Sequence, residues 1–343
     1  MPLISVVIPF THYENEFRGA IDSVLGQDFD DFEIVLIGNN ASDKAITIAE
    51  EYCTRYPKKL KMYYETVQGL PSARNLGILK SEGTYISLFD SDDLMKPQQL
   101  STLLSTFQKV EAEGVSLLGA WNDDISSDGK SLLRKGGPIK PSRWAQYIYS
   151  HTTKYRKNPL IEPRPSTMFF RKTTAMDIGL FDTRYNPFWL EDTHFVFKMY
   201  EKGKIHIIQE ALCLYRLHQK SDSERRNLDF RQIKNTALFF SDLKTHFKDS
   251  KDARLKKGLE RVRSRFLRET GMKLLCYRQG KEIGKRFIRK AFKSDPMNVK
   301  NLETTFRIFL PNRYHPNAFG INQQFDDDLP DFLKEETVDS LFD

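Results

Sequence analysis

Short apolar runs rich in β-branched residues alternate with segments of helical spacing along the first part of the chain. The runs predict four strands, at residues 3–8, 32–37, 60–65 and 84–89. The segments between them predict helices at residues 14–27, 42–56 and 71–80. Four strands separated by helices indicate a parallel sheet with helices on both faces, and such sheets bind ligands at the carboxyl ends of their strands.

The pattern becomes less regular after the fourth predicted strand. It predicts further helices at residues 97–112 and 191–202, and further strands at residues 115–121, 166–170, 205–208 and 212–215. A segment rich in Pro, Lys and Tyr, at residues 135–165, interrupts these elements as a long excursion. Because loops of this kind commonly carry specificity, we expect residues 135–190 to select the substrate that accepts a transferred group.

The length of the chain predicts more than one domain, since single hydrophobic cores usually stop growing near about 250–300 residues. We expect an α/β domain at residues 1–223. A long, strongly charged stretch with helical spacing follows, and it predicts a helical C-terminal region at residues 224–320. The remaining residues, 321–343, are acidic and predict a mobile tail.

Composition narrows the class of protein only a little. The 39% apolar and 29% charged residues are typical of a folded globular protein. The three cysteines lie far apart, which favours a reducing cytoplasm over a disulfide framework or a zinc site. The chain lacks an evident signal peptide and any apolar run long enough to span a membrane, so we expect any membrane contact to be peripheral. The net charge of +7 suits an anionic partner: nucleic acid, a membrane surface or phosphorylated substrates.

Three carboxylates stand directly after the fourth predicted strand, at Asp90, Asp92 and Asp93. Like charges this close need a cation, and ligands that offer only oxygen favour Mn²⁺ or Mg²⁺. The alternative is a set of helix-capping residues ahead of Pro97, since Asp is common at helix starts.

A second group of candidates lies outside that acidic run. Arg74, in the glycine-containing run at residues 69–77, has the planar guanidinium that binds carboxylate or phosphate, although an ordinary loop and helix would look the same. Glu191 and Asp192 begin a predicted helix, where one of them could act as general base or both could complement the helix dipole. Trp189 just before them could stack on a sugar ring or belong to the core.

The last predicted strand is followed by basic residues. His218 could be a metal ligand, and Arg216 or Lys220 could neutralise a diphosphate leaving group. A single histidine is more often structural, so this interpretation depends on its neighbours.

An ordered series of motifs resembles the family-2 glycosyltransferases, an inverting group with the GT-A fold. The series covers residues 2–223 and comprises residues 6–9 with Tyr13 and Glu14, then 23–27, 39–43, 73–77, 83–93, 191–192 and 215–221. The resemblance implies a mainly parallel, Rossmann-like sheet flanked by helices, which here carries a C-terminal helical appendage. It also implies a nucleotide-diphospho-sugar donor and a divalent metal.

The resemblance assigns roles to individual residues. Pro9, Tyr13 and Glu14 are similar to the family's first nucleotide contacts, and Thr11 shares their loop. Asp92 and Asp93 match the region of the family that binds the metal and the diphosphate. Asp90 is similar to a ribose or metal contact, and His218 is similar to the residue that often completes the metal shell. Asp192 is similar to the catalytic base, with Glu191 beside it.

One residue departs from the family pattern. Asn39 stands where many members carry the carboxylate that accepts the imide proton of uracil. An amide oxygen can still accept that hydrogen bond, but it carries no charge.

Together these features predict an inverting, metal-dependent transferase that uses a nucleotide-sugar, with UDP as the expected carrier. We expect a hexosyl or N-acetylhexosaminyl group to pass to a hydroxyl of a glycan or lipid-linked acceptor in bacterial surface polysaccharide synthesis, in the cytoplasm or at the inner face of the membrane.

Three other functions compete with that prediction. A nucleotidyltransferase normally carries a glycine- and arginine-rich loop near its N-terminus, which this chain lacks. A catalytically silent module that binds a nucleotide-sugar or docks on a membrane has no physical need for crowded carboxylates. Nucleic-acid binding is disfavoured because basic and acidic residues are interleaved.

The aromatic and basic residues at 287–293 and 306–310 could contact an anionic membrane or pack against the catalytic domain.

Overall fold

A computed structural model describes residues 1–12, 14–139, 161–217, 230–275 and 280–307. These residues fall into two compact units, one formed by the described residues up to 217 and the other by the helices from residue 230 onward. The predicted boundary at 223 and the predicted tail at 321–343 lie outside the described residues, so the domain limits remain predictions. Across the described ranges, no helix combines the length and apolar character needed to cross a bilayer.

The first half of the sheet has the predicted order of strands and helices. Its elements are β1 (Ile4–Phe10), α1 (Glu14–Leu25), β2 (Phe32–Gly38), α2 (Asp43–Arg55), β3 (Leu60–Tyr64), α3 (Leu70–Lys80) and β4 (Tyr85–Leu88). The strands lie in the order β3-β2-β1-β4, and each neighbouring pair is parallel. The predicted parallel arrangement is therefore confirmed here.

Burial explains why the strand signal is strong in this half. Every residue of β1 and of β2 is buried, as expected for parallel strands that are covered by helices on both faces. Strands of this kind read as continuous apolar runs rather than as an alternation.

The second half of the sheet mixes parallel and antiparallel strands. Its elements are β5 (Leu94–Met95), α4 (Gln99–Val110), β6 (Val115–Ile125), β7 (Leu132–Arg134), β8 (Phe169–Arg171), α5 (Lys172–Asp177), α6 (Glu191–Lys202) and β9 (Lys204–Arg216). The sheet continues from β4 in the order β8-β6-β9-β5, with β7 paired to β6. β8 runs antiparallel to both β4 and β6, whereas β6 and β9 are parallel.

One prediction about this half was wrong. The strands predicted at residues 205–208 and 212–215 are a single strand, β9. The polar interruption between them is a shift of register against β6, where Ile208 pairs with Ala120 but Ala211 already pairs with Trp121. A bulge of this kind breaks the apolar pattern without ending the strand.

Helix α6, which begins and ends as predicted, is held by aromatic packing. Phe195 is fully buried and stacks on Phe181 at 4.0 Å between ring centroids, and it also contacts Phe170 at 5.2 Å. This packing fixes the first turn of the helix, which carries Glu191 and Asp192.

The described residues of the second unit form helices, as predicted. They are α7 (Phe230–His246), α8 (Ala253–Leu274), α9 (Lys281–Ser294) and α10 (Val299–Arg307). Phe287 and Ile288, proposed from the sequence as membrane-contacting residues, are buried, and Ile288 belongs to an apolar cluster with Leu275. Residues 308–310 of the second proposed membrane segment lie outside the described part of the chain.

Candidate functional site

The loops after β1 and β2 are joined by backbone hydrogen bonds at the carboxyl edge of the sheet. The Asn39 N–H donates to the carbonyl oxygen of Phe10 at 3.2 Å, and the Ser42 N–H donates to that of Thr11 at 2.8 Å. Pro9 is buried in β1, and Thr11 follows the strand partly exposed. Tyr13 and the side chain of Glu14 lie outside the described residues.

The Asn39 side chain holds the segment between β3 and α3. Its Nδ2 donates to the carbonyl oxygens of Glu65 and Val67 at 2.9 and 3.0 Å. Its Oδ1 accepts from the N–H of Gly69 at 2.8 Å. Both functional groups of the amide are thus engaged by backbone, and we name residues 65–69 together with Asn39 the Asn39 clamp.

The clamp continues into the loop that precedes α6. Gly69 has φ +145°, a conformation that favours glycine, and a Cβ there would overlap the side chain of Asn186. The Leu70 N–H donates to the carbonyl oxygen of Pro187 at 2.7 Å, and Asn186 Nδ2 donates to Ser72 Oγ at 2.8 Å. Hydrogen bonds therefore connect the end of β2, the start of α3 and the loop before α6.

Arg74 joins the two acidic motifs predicted from the sequence. Its side chain is almost completely buried, with Nη2 3.0 Å from Asp90 Oδ1 and Nη1 3.2 Å from Glu191 Oε1. Burial alone would lower the pKa of this guanidinium, but Asp90 and Glu191 outweigh it and the pKa is raised. A buried charge is tolerated when it is paired in this way.

The three aspartates after β4 occupy different environments. Asp93 is fully buried and accepts from Ser166 Oγ–H at 2.6 Å and from the Arg216 N–H at 2.9 Å. Burial, followed by repulsion from Asp92 and Asp90, raises its pKa well above the ordinary value. Asp93 therefore serves to shape the loop, with both of its oxygens already engaged by protein donors.

Asp90 and Asp92 are the more accessible members of the group. The Asp90 side chain is 26% exposed, which leaves room for a ligand beside its contact with Arg74. Burial raises the pKa of Asp90 while Arg74 lowers it and Asp92 raises it further. Asp92 is partly exposed. These two carboxylates suit a hard cation better than Asp93 does.

Arg216 contacts the same loop through its backbone and side chain. Nε donates to the carbonyl oxygen of Asp92 at 2.7 Å, and Nη1 donates to that of Ser127 at 3.0 Å. The guanidinium is thus engaged by carbonyl groups and mainly orders the loop. His218 and Lys220 lie outside the described residues, so their predicted roles remain predictions.

Glu191 and Asp192 differ sharply in burial. Glu191 is 6% exposed, and burial followed by the charge of Asp192 raises its pKa to about 7. Asp192 is partly exposed, and its Oδ1 accepts from the N–H of Thr193 at 2.7 Å. Asp192 is therefore the more accessible of the two carboxylates, whereas Glu191 faces Arg74.

The two residues before α6 have left-handed backbone conformations. Trp189 has φ 91° and Leu190 has φ 64°, although neither is glycine. Each such residue costs of the order of 1–3 kcal/mol, and strain of this kind collects at functional sites. Trp189 is partly exposed, and its contact with an acceptor remains a prediction.

Several residues of the site were missed by sequence reasoning. Ser166 accepts from the Asp90 N–H at 3.1 Å and donates to Asp93, so it fixes the shape of the acidic loop. Arg164 lies with its guanidinium carbon 3.6 Å from the centroid of the Tyr215 ring. The available signal was the presence of polar and charged residues directly ahead of the buried strand β8.

The fold and the site define the class of α/β proteins that bind ligands at the carboxyl edge of their sheet. The model of the family described as Glycosyl transferase family 2 matches residues 5–179, about half of the chain, and the protein belongs to that family. The resemblance inferred from the sequence motifs is thereby confirmed.

Curated relatives share the same first part of the chain. The uncharacterized glycosyltransferase EpsJ of Bacillus subtilis is 27% identical over 229 residues, which cover 65% of this chain and 64% of the relative. The uncharacterized glycosyltransferase alr2836 of a Nostoc species is 27% identical over 217 residues, covering 63% and 65%. The matches thus span slightly less than two thirds of these relatives.

Solved structures of TarS from S. aureus share the fold. The structure of TarS residues 1–349 in complex with UDP-GlcNAc covers 96% of this chain and 95% of its own, with a TM-score of 0.52 and 15% identity. The complex of the same protein with UDP gives a TM-score of 0.50 at 17% identity. At this identity the likeness establishes the GT-A fold, which confirms the predicted fold class.

Proposed function

We propose that the protein is an inverting glycosyltransferase that moves a sugar from a UDP-sugar to a hydroxyl group of a glycan or lipid-linked acceptor. One observation carries the proposal. Arg74 binds Asp90 of the acidic loop and Glu191 in the first turn of α6, and Glu191 lies 117 positions after Arg74 in the chain. A site for the donor diphosphate and a candidate base are thereby joined at one edge of the sheet.

In the proposed mechanism, the acceptor hydroxyl loses its proton to Asp192 as its oxygen attacks the anomeric carbon. The bond from that carbon to the diphosphate oxygen breaks at the same time, and the nucleoside diphosphate leaves with the electron pair. The attack comes from the face opposite the leaving group, so the configuration inverts. Glu191 and Arg74 act as positioning residues, because they hold the first turn of α6 against the acidic loop.

The accessible carboxylates fit a divalent metal ion. Asp90 and Asp92 would hold Mn²⁺ or Mg²⁺, whereas the oxygens of Asp93 are already used by Ser166 and Arg216. Such an ion supplies positive charge to a departing diphosphate. Burial, and after it the neighbouring Asp92, raises the pKa of Asp90, and a cation at this position would offset both effects.

The choice of UDP is supported by the TarS complexes with UDP and UDP-GlcNAc. We extend this to a hexosyl or N-acetylhexosaminyl donor, with Trp189 contacting the acceptor. The relatives come from bacteria, in agreement with a role in surface polysaccharide synthesis. We place this activity in the cytoplasm or at the inner face of the membrane. Because Phe287 and Ile288 are buried, any membrane contact would use other residues.

Replacement of Asp192 by Asn tests the mechanism. We expect turnover with UDP-GlcNAc and Mn²⁺ to fall at least about 100-fold, since a positioned base commonly contributes about 10²–10⁴-fold. UDP binding, measured by calorimetry, should stay within about twofold, because the change leaves the acidic loop intact.

A matched control separates this role from a helix-dipole effect. Glu282 also lies in the first turn of a helix, and Glu282→Gln should leave turnover unchanged. An Asp192→Asn protein with near-normal turnover would refute the base assignment. A wild-type protein that binds UDP but neither transfers nor hydrolyses any UDP-sugar would instead identify a silent binding module.

A further inference from the structure

Two arginines beside the acidic loop have their guanidinium groups engaged by the protein. Arg74 binds Asp90 and Glu191, and Arg216 donates to two carbonyl oxygens. Neither has a full set of donors to offer to a substrate. The diphosphate of a nucleotide-sugar carries two negative charges and gains a third as the sugar leaves, one more than a divalent ion neutralises, so a further cation is expected at this edge.

Arg164 is a cation of a different kind. It lies just before the short 3₁₀ helix Pro165–Thr167, whose Ser166 binds the acidic loop. Its side chain is half-buried and stacks over Tyr215, with 3.6 Å from the guanidinium carbon to the ring centroid. Among the described residues it pairs with no carboxylate.

The hydrogen bonds of neighbouring residues place Arg164 near the acidic loop. Ser166, two positions after Arg164, binds Asp90 and Asp93, and the N–H of Arg216, directly after Tyr215, donates to Asp93. Burial raises the pKa of the Tyr215 phenol to about 12, and Arg164 is the largest influence in the opposite direction. The carboxylates of Asp93, Asp90 and Asp92 each raise the same pKa. These influences agree with the contacts, which give Tyr215 both Arg164 and the acidic loop as neighbours.

We propose that Arg164 binds a phosphate group of a substrate, using guanidinium edges that its stacking on Tyr215 leaves open. A ring below the guanidinium plane occupies one face only, so the N–H groups at the edge remain free to donate. The stack also fixes the side chain before the ligand arrives, which lowers the entropy lost on binding.

This inference rests on the proposed function and deepens it. The phosphate belongs either to the diphosphate of the nucleotide-sugar or to a lipid-linked acceptor, and the same guanidinium chemistry serves both. A structural role for the Arg164–Tyr215 stack predicts a loss of stability without a selective loss of phosphate binding.

The test compares UDP with uridine, which differ only in phosphate, and adds farnesyl diphosphate as a lipid diphosphate. Calorimetry with UDP, with uridine, and with farnesyl diphosphate added to UDP-saturated protein would be run on the wild type, Arg164→Gln and Arg55→Gln. Arg55 is the matched control, since it also stacks on a neighbouring ring, that of Tyr56, but lies exposed at the end of α2.

If the phosphate is that of the donor, Arg164→Gln should weaken UDP binding about tenfold or more and leave uridine binding unchanged. If it belongs to the acceptor, only farnesyl diphosphate binding should weaken. Tyr215→Leu, which keeps the cation but removes its support, should reduce the same affinity and serves as a second variant if Arg164→Gln folds poorly.

The outcomes separate this inference from the proposed function. If Arg164→Gln binds both UDP and farnesyl diphosphate as tightly as the wild type does, the role of Arg164 alone would be overturned. A wild-type protein with no affinity for UDP would overturn the proposed function itself and this inference with it.

Discussion

At the scale of single residues, the site depends on a buried arginine that two carboxylates share. Arg74 can contact Asp90 and Glu191 at once because its guanidinium presents donors in a rigid fork. A lysine offers a single charged centre and would leave one carboxylate buried without a partner, which is costly. Glu191, the more buried of the two carboxylates, should therefore make stability depend on pH.

Replacement of Glu191 by Gln should remove a pH dependence of stability. The folded-state pKa of Glu191 is about 7, above the ordinary value of 4.5, so the folded state holds this proton more tightly than the unfolded chain. Wild-type stability should consequently fall relative to Glu191→Gln as pH rises from 4.5 to 7, by at most about 3 kcal/mol, and then level off.

Urea unfolding of both proteins between pH 5 and 8 would measure this difference. Glu282 is an exposed carboxylate whose pKa is lowered by Lys285, so Glu282→Gln should show no such trend above pH 5. Parallel curves for the wild type and Glu191→Gln would show that Glu191 is already ionised at the lower pH.

At the scale of elements, the Asn39 clamp ties the end of β2 to the start of α3 and onward to the α6 loop. An amide is suited to this position because it donates to two carbonyl oxygens and accepts from one N–H. A carboxylate, the residue expected from the family pattern, could make only the last of these contacts.

Asn39→Asp should therefore lower the free energy of unfolding by about 2 kcal/mol, since the carbonyl groups of Glu65 and Val67 lose their donor and face a negative charge. UDP affinity should fall with it, as measured by calorimetry. Asn40→Asp makes the same chemical change at the exposed neighbour, whose φ of 52° Asp also tolerates, and should leave stability within about 0.5 kcal/mol. A stable Asn39→Asp protein with tighter UDP binding would instead indicate direct contact with the base.

At the scale of the whole molecule, the described residues of the candidate site all belong to the first unit, while the second unit has its own packing. Helices α8 and α9 approach closely at Gly271 and Gly284. On α10, Asn301 is fully buried and donates to Ser264 Oγ of α8 at 2.7 Å and to the Ala291 carbonyl oxygen of α9 at 3.2 Å. Stability of the second unit and ligand binding should thus respond to different substitutions.

Gly284→Ala tests this separation. The new Cβ would lie 2.7 Å from the carbonyl oxygen of Gly271, a backbone atom that cannot move aside without shifting the helix. The overlap should cost about 1–3 kcal/mol, more than the roughly 1 kcal/mol that alanine gains over glycine in a helix. Hydrogen exchange should accelerate in α8 and α9 while UDP affinity stays unchanged, and undiminished protection there would contradict the tight crossing.

Much of the site could be anticipated because its residues follow strands and helices that are encoded locally. The buried runs of β1 and β2 and the beginning of α6 at Glu191 are visible in the sequence, and so is the acidic loop after β4. The roles within that loop were not visible. Asp93 is directed inward by Ser166 and by the Arg216 backbone, residues 73 and 123 positions away.

By itself, then, the amino-acid sequence determined the order of the elements and the edge of the sheet at which the polar residues collect, since both follow from local periodicity and from the direction of parallel strands. Only the tertiary structure decided that Asp90 faces Arg74, that Asn39 binds backbone and that Arg164 stacks on Tyr215. Each of these contacts joins separate elements of the fold, and the direction of a side chain depends on the partner that packing brings to it.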